Sequence, residues 1–220
     1  MRGLLWTTVY ASLVAGSVSP GGDDASAVRV AMLTYGPDET TSVCFSDEFI
    51  ETVRFETSID ARRGFVPARL DDASVFEHPF SIMTGEGAFE LSPMESEHLR
   101  AYLFAGGFVL ASAGCSNAAW DASFREAITT AVPEHSLETI TLDHELFSTI
   151  FTIASLDSKK AQEDIALEVL TINGRVALVY SPEGLNDTTN AGGDCCCCGS
   201  TEIGNARYVN ANILAYALTR

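Results

Sequence analysis

The sequence predicts an α/β domain in three layers, a mainly parallel β-sheet flanked by helices and completed by a C-terminal β-hairpin. Three observations carry this. Apolar, β-rich runs alternate with segments of helical periodicity from Val28 to about Pro133. The run Phe108 to Ala113 (FVLASA) breaks off at Gly114-Cys115-Ser116-Asn117 and leads straight into a helix, the arrangement with which parallel sheets present a residue at their carboxyl edge. Finally, Ile165 to Tyr180, which contains LEVLTI-NG-RVALVY, places Asn173-Gly174 between two β-rich runs, the signature of a hairpin with a type I′ turn.

Each element has its own local cause. Val28 to Thr34 (VRVAMLT) is a buried first strand that ends at Tyr35-Gly36-Pro37. Ser46 precedes Asp47 and Glu48, with Phe49, Ile50 and Val53 at helical spacing, which predicts an N-capped amphipathic helix. Phe65 to Leu70 is a short strand, Asp71 to Ser74 a loop or helical start, and Phe80 to Met83 a second buried strand closing at Thr84-Gly85-Glu86-Gly87. Ser92-Pro93-Met94-Glu95 combines an N-cap, a proline at the first helical position and a capping-box glutamate, so a helix is expected over 93–105, with Leu99, Tyr102 and Leu103 facing the core. The helix after Asn117 carries Trp120, Phe124 and Ile128. Beyond the hairpin, 181–200 is a polar, Gly-rich loop, and a last helix from about Ile203 to Leu218 returns Ile213, Leu214 and Leu218 to the body.

The ends and the charge bound the setting. Arg2 is followed by an apolar, charge-free stretch to about Val18, short for a spanning helix and suited to a secretory signal peptide. Residues 1–27 are expected to be this signal and a linker, through Ser19 to Asp24 and the Ala25-Ser26-Ala27 cleavage motif; 28–220 form one domain. The expectation is an exported chain, periplasmic or extracellular, with the segment either cleaved or retained as an anchor. A net charge of −17 argues against nucleic acid and anionic lipid as partners and leaves a protein partner or cations.

Four of the six cysteines stand together as Cys195, Cys196, Cys197 and Cys198 in that late loop. Neighbouring side chains on an extended segment face opposite ways, so the run does not close one tetrahedral zinc site. It suits a soft ion such as Cu(I), a share of a multinuclear thiolate centre with Cu(I) or Zn, or disulfides, which an oxidising compartment favours. Cys44 reads as a small buried apolar residue.

Several segments, in order, resemble a bacterial domain-of-unknown-function family with a flavodoxin-like, class I glutamine amidotransferase-like fold. They are His78-Pro79-Phe80 with Ile82-Met83-Thr84-Gly85, Leu99 to Phe108, Phe124-Arg125, Leu142-Asp143-His144, Gly174-Arg175 with Val179-Tyr180-Ser181, and Asn212 to Leu218. The resemblance implies short exported or membrane-associated domains, often encoded beside AAA-type ATPases and von Willebrand factor A proteins. It implies a fold more than a reaction. Amidotransferase chemistry needs a cysteine on the elbow after a central strand, a histidine base and a carboxylate. Cys115 lies near that elbow, displaced by Gly114. The later strand ends in Ser181-Pro182-Glu183, where active amidotransferases typically carry His-Pro-Glu, and serine cannot be the base.

Candidate catalytic residues are therefore Cys115 and His144. Asp143 precedes His144 but faces the other way on an extended chain, so the ordinary role for His144 is a helix cap or a polar pocket. His78 is a turn residue, His98 lies on a helix and His135 in a loop, and Glu86 stands where the sheet edge should open. Three functions follow: a non-glutaminase binding or assembly module, a soft-metal or thiol-redox protein using Cys195–Cys198, and an amide or ester hydrolase using Cys115. No phosphate-binding glycine motif is present.

Overall fold

A computed structural model describes residues 27–157, 165–191, 195 and 202–220. The expected signal and linker lie outside the described residues but for Ala27, as do Cys196, Cys197 and Cys198. Seven strands form one sheet in the order β2-β1-β3-β4-β7-β6-β5. They are β1 (Val28–Thr34), β2 (Ala61–Arg69), β3 (Phe80–Gly85), β4 (Phe108–Ala113), β5 (Glu138–Ile140), β6 (Leu167–Ile172) and β7 (Arg175–Ser181). The helices are α1 (Glu48–Glu56), α2 (Pro93–Phe104), α3 (Ala118–Ala131) and α4 (Ala206–Thr219). The strands β2, β1, β3, β4 and β7 run parallel, while β6 is antiparallel to both β7 and β5.

Alternation along the strands separates two cores. Val30, Met32, Phe80, Ile82, Phe108 and Leu110 face α1 and α4 and meet Phe49, Ile50, Val53, Val209 and Ile213. Ala31, Leu33, Met83, Val109, Ala111 and Tyr180 face α2 and α3, against Leu99, Tyr102, Leu103, Trp120, Phe124 and Ile128. On that face Trp120 stacks on Phe124 with centroids 5.1 Å apart, and Phe124 lies 4.3 Å from Tyr180. Full burial of each such side chain contributes on the order of 2–3 kcal/mol, so the two layers of helices are held by their apolar stripes.

Most element boundaries agree with the expected ones, and the departures have local causes. The capping box at Ser92 is complete, with Glu95 N donating to the serine hydroxyl and Ser92 N to the Glu95 carboxylate. Asn173 and Gly174 both have positive φ, 53° and 77°, as the type I′ turn requires. The strand expected from Phe65 begins four residues earlier, at Ala61. Its register against β1 slips between Arg29 and Val30, where Arg63 and Gly64 (φ 88°) are extruded as a bulge. Arg63 then reaches Asp47 at 3.0 Å and also pairs with Glu48. With Asp47 so engaged, Ser46 serves α1 from one residue further out, its hydroxyl accepting from Glu48 N at 3.2 Å. The last helix begins at Ala206 rather than Ile203, because Glu202 and Ile203 pair with Gly184.

The hairpin is more than an appendage. Its second strand, β7, pairs in parallel with β4 and so closes the parallel part of the sheet, while β6 and β5 extend it outward. The chain therefore turns back on both sides of β1 and β3, and the carboxyl ends of β1, β3, β4 and β7 meet at one edge. Ligands of open α/β sheets bind outside that edge.

Candidate functional site

Four loops build the carboxyl edge: those after β1, β3, β4 and β7. The loop after β4 is the expected elbow. Cys115 and Ser116 both take the left-handed conformation, φ 52° and 51°, before the Asn117 side chain caps α3 through Ala119 N and Trp120 N. The elbow packs closely on β3, since a Cβ on Gly114 would lie 2.8 Å from Gly85 O. On Gly85 it would meet Tyr35 Oη at 2.7 Å and Trp120 Nε1 at 2.9 Å. Only glycine fits at either position.

A buried polar row lies under the edge. Trp120 Nε1 donates to Tyr35 Oη at 2.6 Å, and that hydroxyl donates to Thr84 O at 2.8 Å. Burial pushes the Tyr35 hydroxyl well above the ordinary tyrosine pKa, so it stays a neutral donor. Asn186 Oδ1 accepts from Ser112 Oγ at 3.2 Å, its Nδ2 donates to Ser42 Oγ at 3.4 Å, and Leu185 N donates to Ser112 Oγ at 2.8 Å. The segment after β7 thus crosses the ends of β4 and β3 to reach the loop after β1.

Carboxylates crowd the same place. Cys115 Sγ lies 3.3 Å from Glu86 Oε1, and Ser116 Oγ donates to Glu183 Oε2 at 2.7 Å. Glu202 is 8% exposed; its Oε2 accepts from Thr188 Oγ1 at 2.7 Å, and its buried Oε1 has no hydrogen-bond partner. Burial raises the Glu202 pKa, partly offset by the Thr188 bonds, with Asp187 and Glu86 adding repulsion. Burial likewise raises Asp187, which has φ 52°. Beside this edge a cleft of about 370 Å³ opens between Gly36-Pro37, Arg69, Asp71 and the start of α2. Its cation is taken, for Arg69 pairs with both Asp71 and Glu39.

Two cysteines of the expected site residues are in disulfides. Cys44, expected to be a plain buried residue, is bonded to Cys195 across 151 positions of sequence, and Cys115 is also disulfide-bonded. The metal reading of Cys196, Cys197 and Cys198 falls outside the described residues. Among the described residues, no group of three or more His, Cys, Asp or Glu side chains could hold a metal ion, and no helix is long and apolar enough to cross a membrane. His144 is not brought to Cys115. It caps a 3₁₀ turn, accepting from Leu146 N at 3.2 Å, with its ring 6.0 Å from Tyr216 near the C-terminal end of α4. His78 and His98 contact the backbone carbonyls of Arg29 and Leu70, and His135 lies against Phe104.

Sequence reasoning did not single out Ser116, Asn186 or Glu202. Glu86 and Cys115 carried a signal through the expected sheet edge and elbow, and Glu183 through its place at the end of β7. The fold and site define a mixed α/β domain whose carboxyl edge is acidic, cross-linked and crossed by its own chain. It belongs to the family described as a domain of unknown function (DUF4159), whose model matches residues 29–218. No curated protein matches the chain.

Proposed function

We propose that the chain is an exported, non-hydrolytic domain of the flavodoxin-like, class I glutamine amidotransferase-like kind, and that its sheet edge is a contact surface for a protein partner. One observation carries the reading. The elbow residue Cys115 is spent in a disulfide and faces Glu86, while all four histidines are engaged elsewhere. Were that sulfur released, a carboxylate 3.3 Å away would repel the thiolate that nucleophilic catalysis needs. The strand order and the elbow after β4 favour the amidotransferase-like fold, and Ser181 at the end of β7 favours a lost reaction. Export is favoured by the apolar N-terminal stretch together with the Cys44 to Cys195 bond, which persists in oxidising compartments. The charge of −17 and the acidic edge suit a partner with a basic face.

The test is hydrolysis. Full-length protein, oxidised or reduced, is incubated with glutamine and with an activated ester beside Cys115→Ser. The expected result is no turnover above the variant in either state. Turnover that appears in the wild type and disappears in Cys115→Ser overturns the reading.

A further inference from the structure

The loop after β3 divides the space beside the carboxyl edge in two. On one side lies the cleft of about 370 Å³ between the ends of β1 and β2 and the start of α2; on the other a second cleft, of about 290 Å³, runs between α2 and α3. Glu90 and Leu91 line both clefts and so form the ridge between them. The ridge is tied at each end. Phe89 N donates to Ser123 Oγ at 3.0 Å, with the Phe89 ring edge-on to Tyr35 at 4.7 Å, and Ser92 N donates to Glu95 Oε2 at 2.7 Å. A wall fixed before binding costs little ordering entropy when a partner arrives. Both clefts set carboxylates against apolar surface: Glu90 is common to the two, Glu126 on α3 adds another in the second, and Pro37, Pro93, Phe89 and Ala127 supply the apolar walls. The flanking cations are engaged elsewhere, Arg69 with Asp71 and Glu39, Arg100 with Glu134, and Arg125 with Asp121 and Glu168. Among the described residues no ion pair reaches Glu90 or Glu126.

We propose that a basic segment of a protein partner straddles the Glu90-Leu91 ridge and seats a lysine or arginine side chain in each cleft, with Glu90 between the two cations. A long basic side chain lays its aliphatic stem on apolar surface and keeps its charged head at a carboxylate, and each cleft offers that pair of surfaces. The two volumes lie near or just below the low end of the roughly 300–1,000 Å³ usual for small-molecule sites, which suits a single side chain better than a cofactor. Two seats parted by a ridge are reached together by side chains branching from one backbone, whereas a linear polyamine fills one seat at a time. The net charge of −17 draws a basic partner in, and the paired clefts fix where it docks. The inference rests on the reading of this edge as a contact surface and adds the residues that hold the partner's cations.

Titration of the full chain with fluorophore-labelled, end-blocked hexalysine tests the ridge, at about 0.15 M salt, where diffuse attraction is screened. Saturable binding is expected. Glu90→Gln is expected to weaken it about tenfold and Glu126→Gln about threefold, while Glu138→Gln, an equal loss of charge on the exposed strand β5, weakens it about twofold at most. Amide shifts in NMR spectra of the wild type are expected to centre on Phe89 to Ser92 and on Ser123. Equal weakening by Glu90→Gln and Glu138→Gln, shifts centred elsewhere, or no saturable binding each overturn the proposal. So does spermine binding more tightly than hexalysine, since the occupant would then be a free polyamine. Hydrolysis does not enter these readouts, so the ridge and the non-hydrolytic reading fail separately.

Discussion

Replacing Glu95 by alanine removes the tie between α2 and the first loop of the carboxyl edge. Glu95 is 3% exposed, and its two oxygens accept from Gly36 N and Ser92 N, each at 2.7 Å. Hydrogen bonds to a charged group contribute about 1.5–3 kcal/mol each, which gives roughly 3–6 kcal/mol for the pair. Water entering from the adjoining cleft recovers part of this by meeting the stranded N–H groups, so the expected loss is about 3 kcal/mol. For a domain of this size that lowers Tm by about 10 °C. Glutamine keeps one acceptor and turns an NH2 toward the other donor, so Glu95→Gln is expected to lose about half as much or more. Guanidinium unfolding followed by circular dichroism, with m unchanged, reads both. A loss below about 1 kcal/mol for alanine would refute the assignment of Glu95 as the tie.

Two further outcomes follow from the charges. Burial raises Glu202 and Asp187 above their unfolded values of about 4.3 and 3.9, so the folded state binds more protons just above those values and stability falls as pH rises through the raised pKa values. Glu202→Gln is expected to flatten that fall and to raise stability at neutral pH; denaturant midpoints across the range that fall as steeply as in wild type would refute it. Arg125 grips both Glu168 oxygens at 2.8 and 2.6 Å and lies 5.2 Å from the Tyr180 ring, yet its side chain is 41% exposed. Arg125→Ala is therefore expected to cost only about 1 kcal/mol, and less in high salt; a salt-independent loss would point to packing instead.

What the sequence disclosed is what local chemistry decides. Ser92 and Glu95 are three residues apart, so the capping box could be seen directly, but the same carboxylate's bond to Gly36 spans 59 positions and could not. Asn173-Gly174 announced a hairpin because both residues tolerate positive φ. Nothing in VRVAMLT or FVLASA states that β1 lies between β2 and β3, or that β7 rather than β6 lies against β4, since buried strands are alike in pattern. The early start of β2 was hidden because Arg62 and Arg63 break the apolar run, and only the bulge at Gly64 reconciles them with pairing. Cys44 stood alone in an ordinary loop, so its partner 151 residues away left no trace in spacing. Asn186 likewise sat in a polar loop among residues of the same kind.

The cross-links and the acidity of the edge explain each other. With a charge of −17 the chain repels itself, and the edge concentrates the problem where Glu86, Glu183, Glu202 and Asp187 converge. Hydrogen bonds alone hold these groups only in part, since one oxygen of Glu202 has no partner. The covalent tie from Cys195 to the loop after β1 resists the repulsion without neutralising it, and so does the bond at the elbow. The field facing outward is therefore preserved, which nucleophilic thiol chemistry would not want and a basic partner would. On this argument the disulfides at the edge act by keeping carboxylates together that would otherwise repel one another.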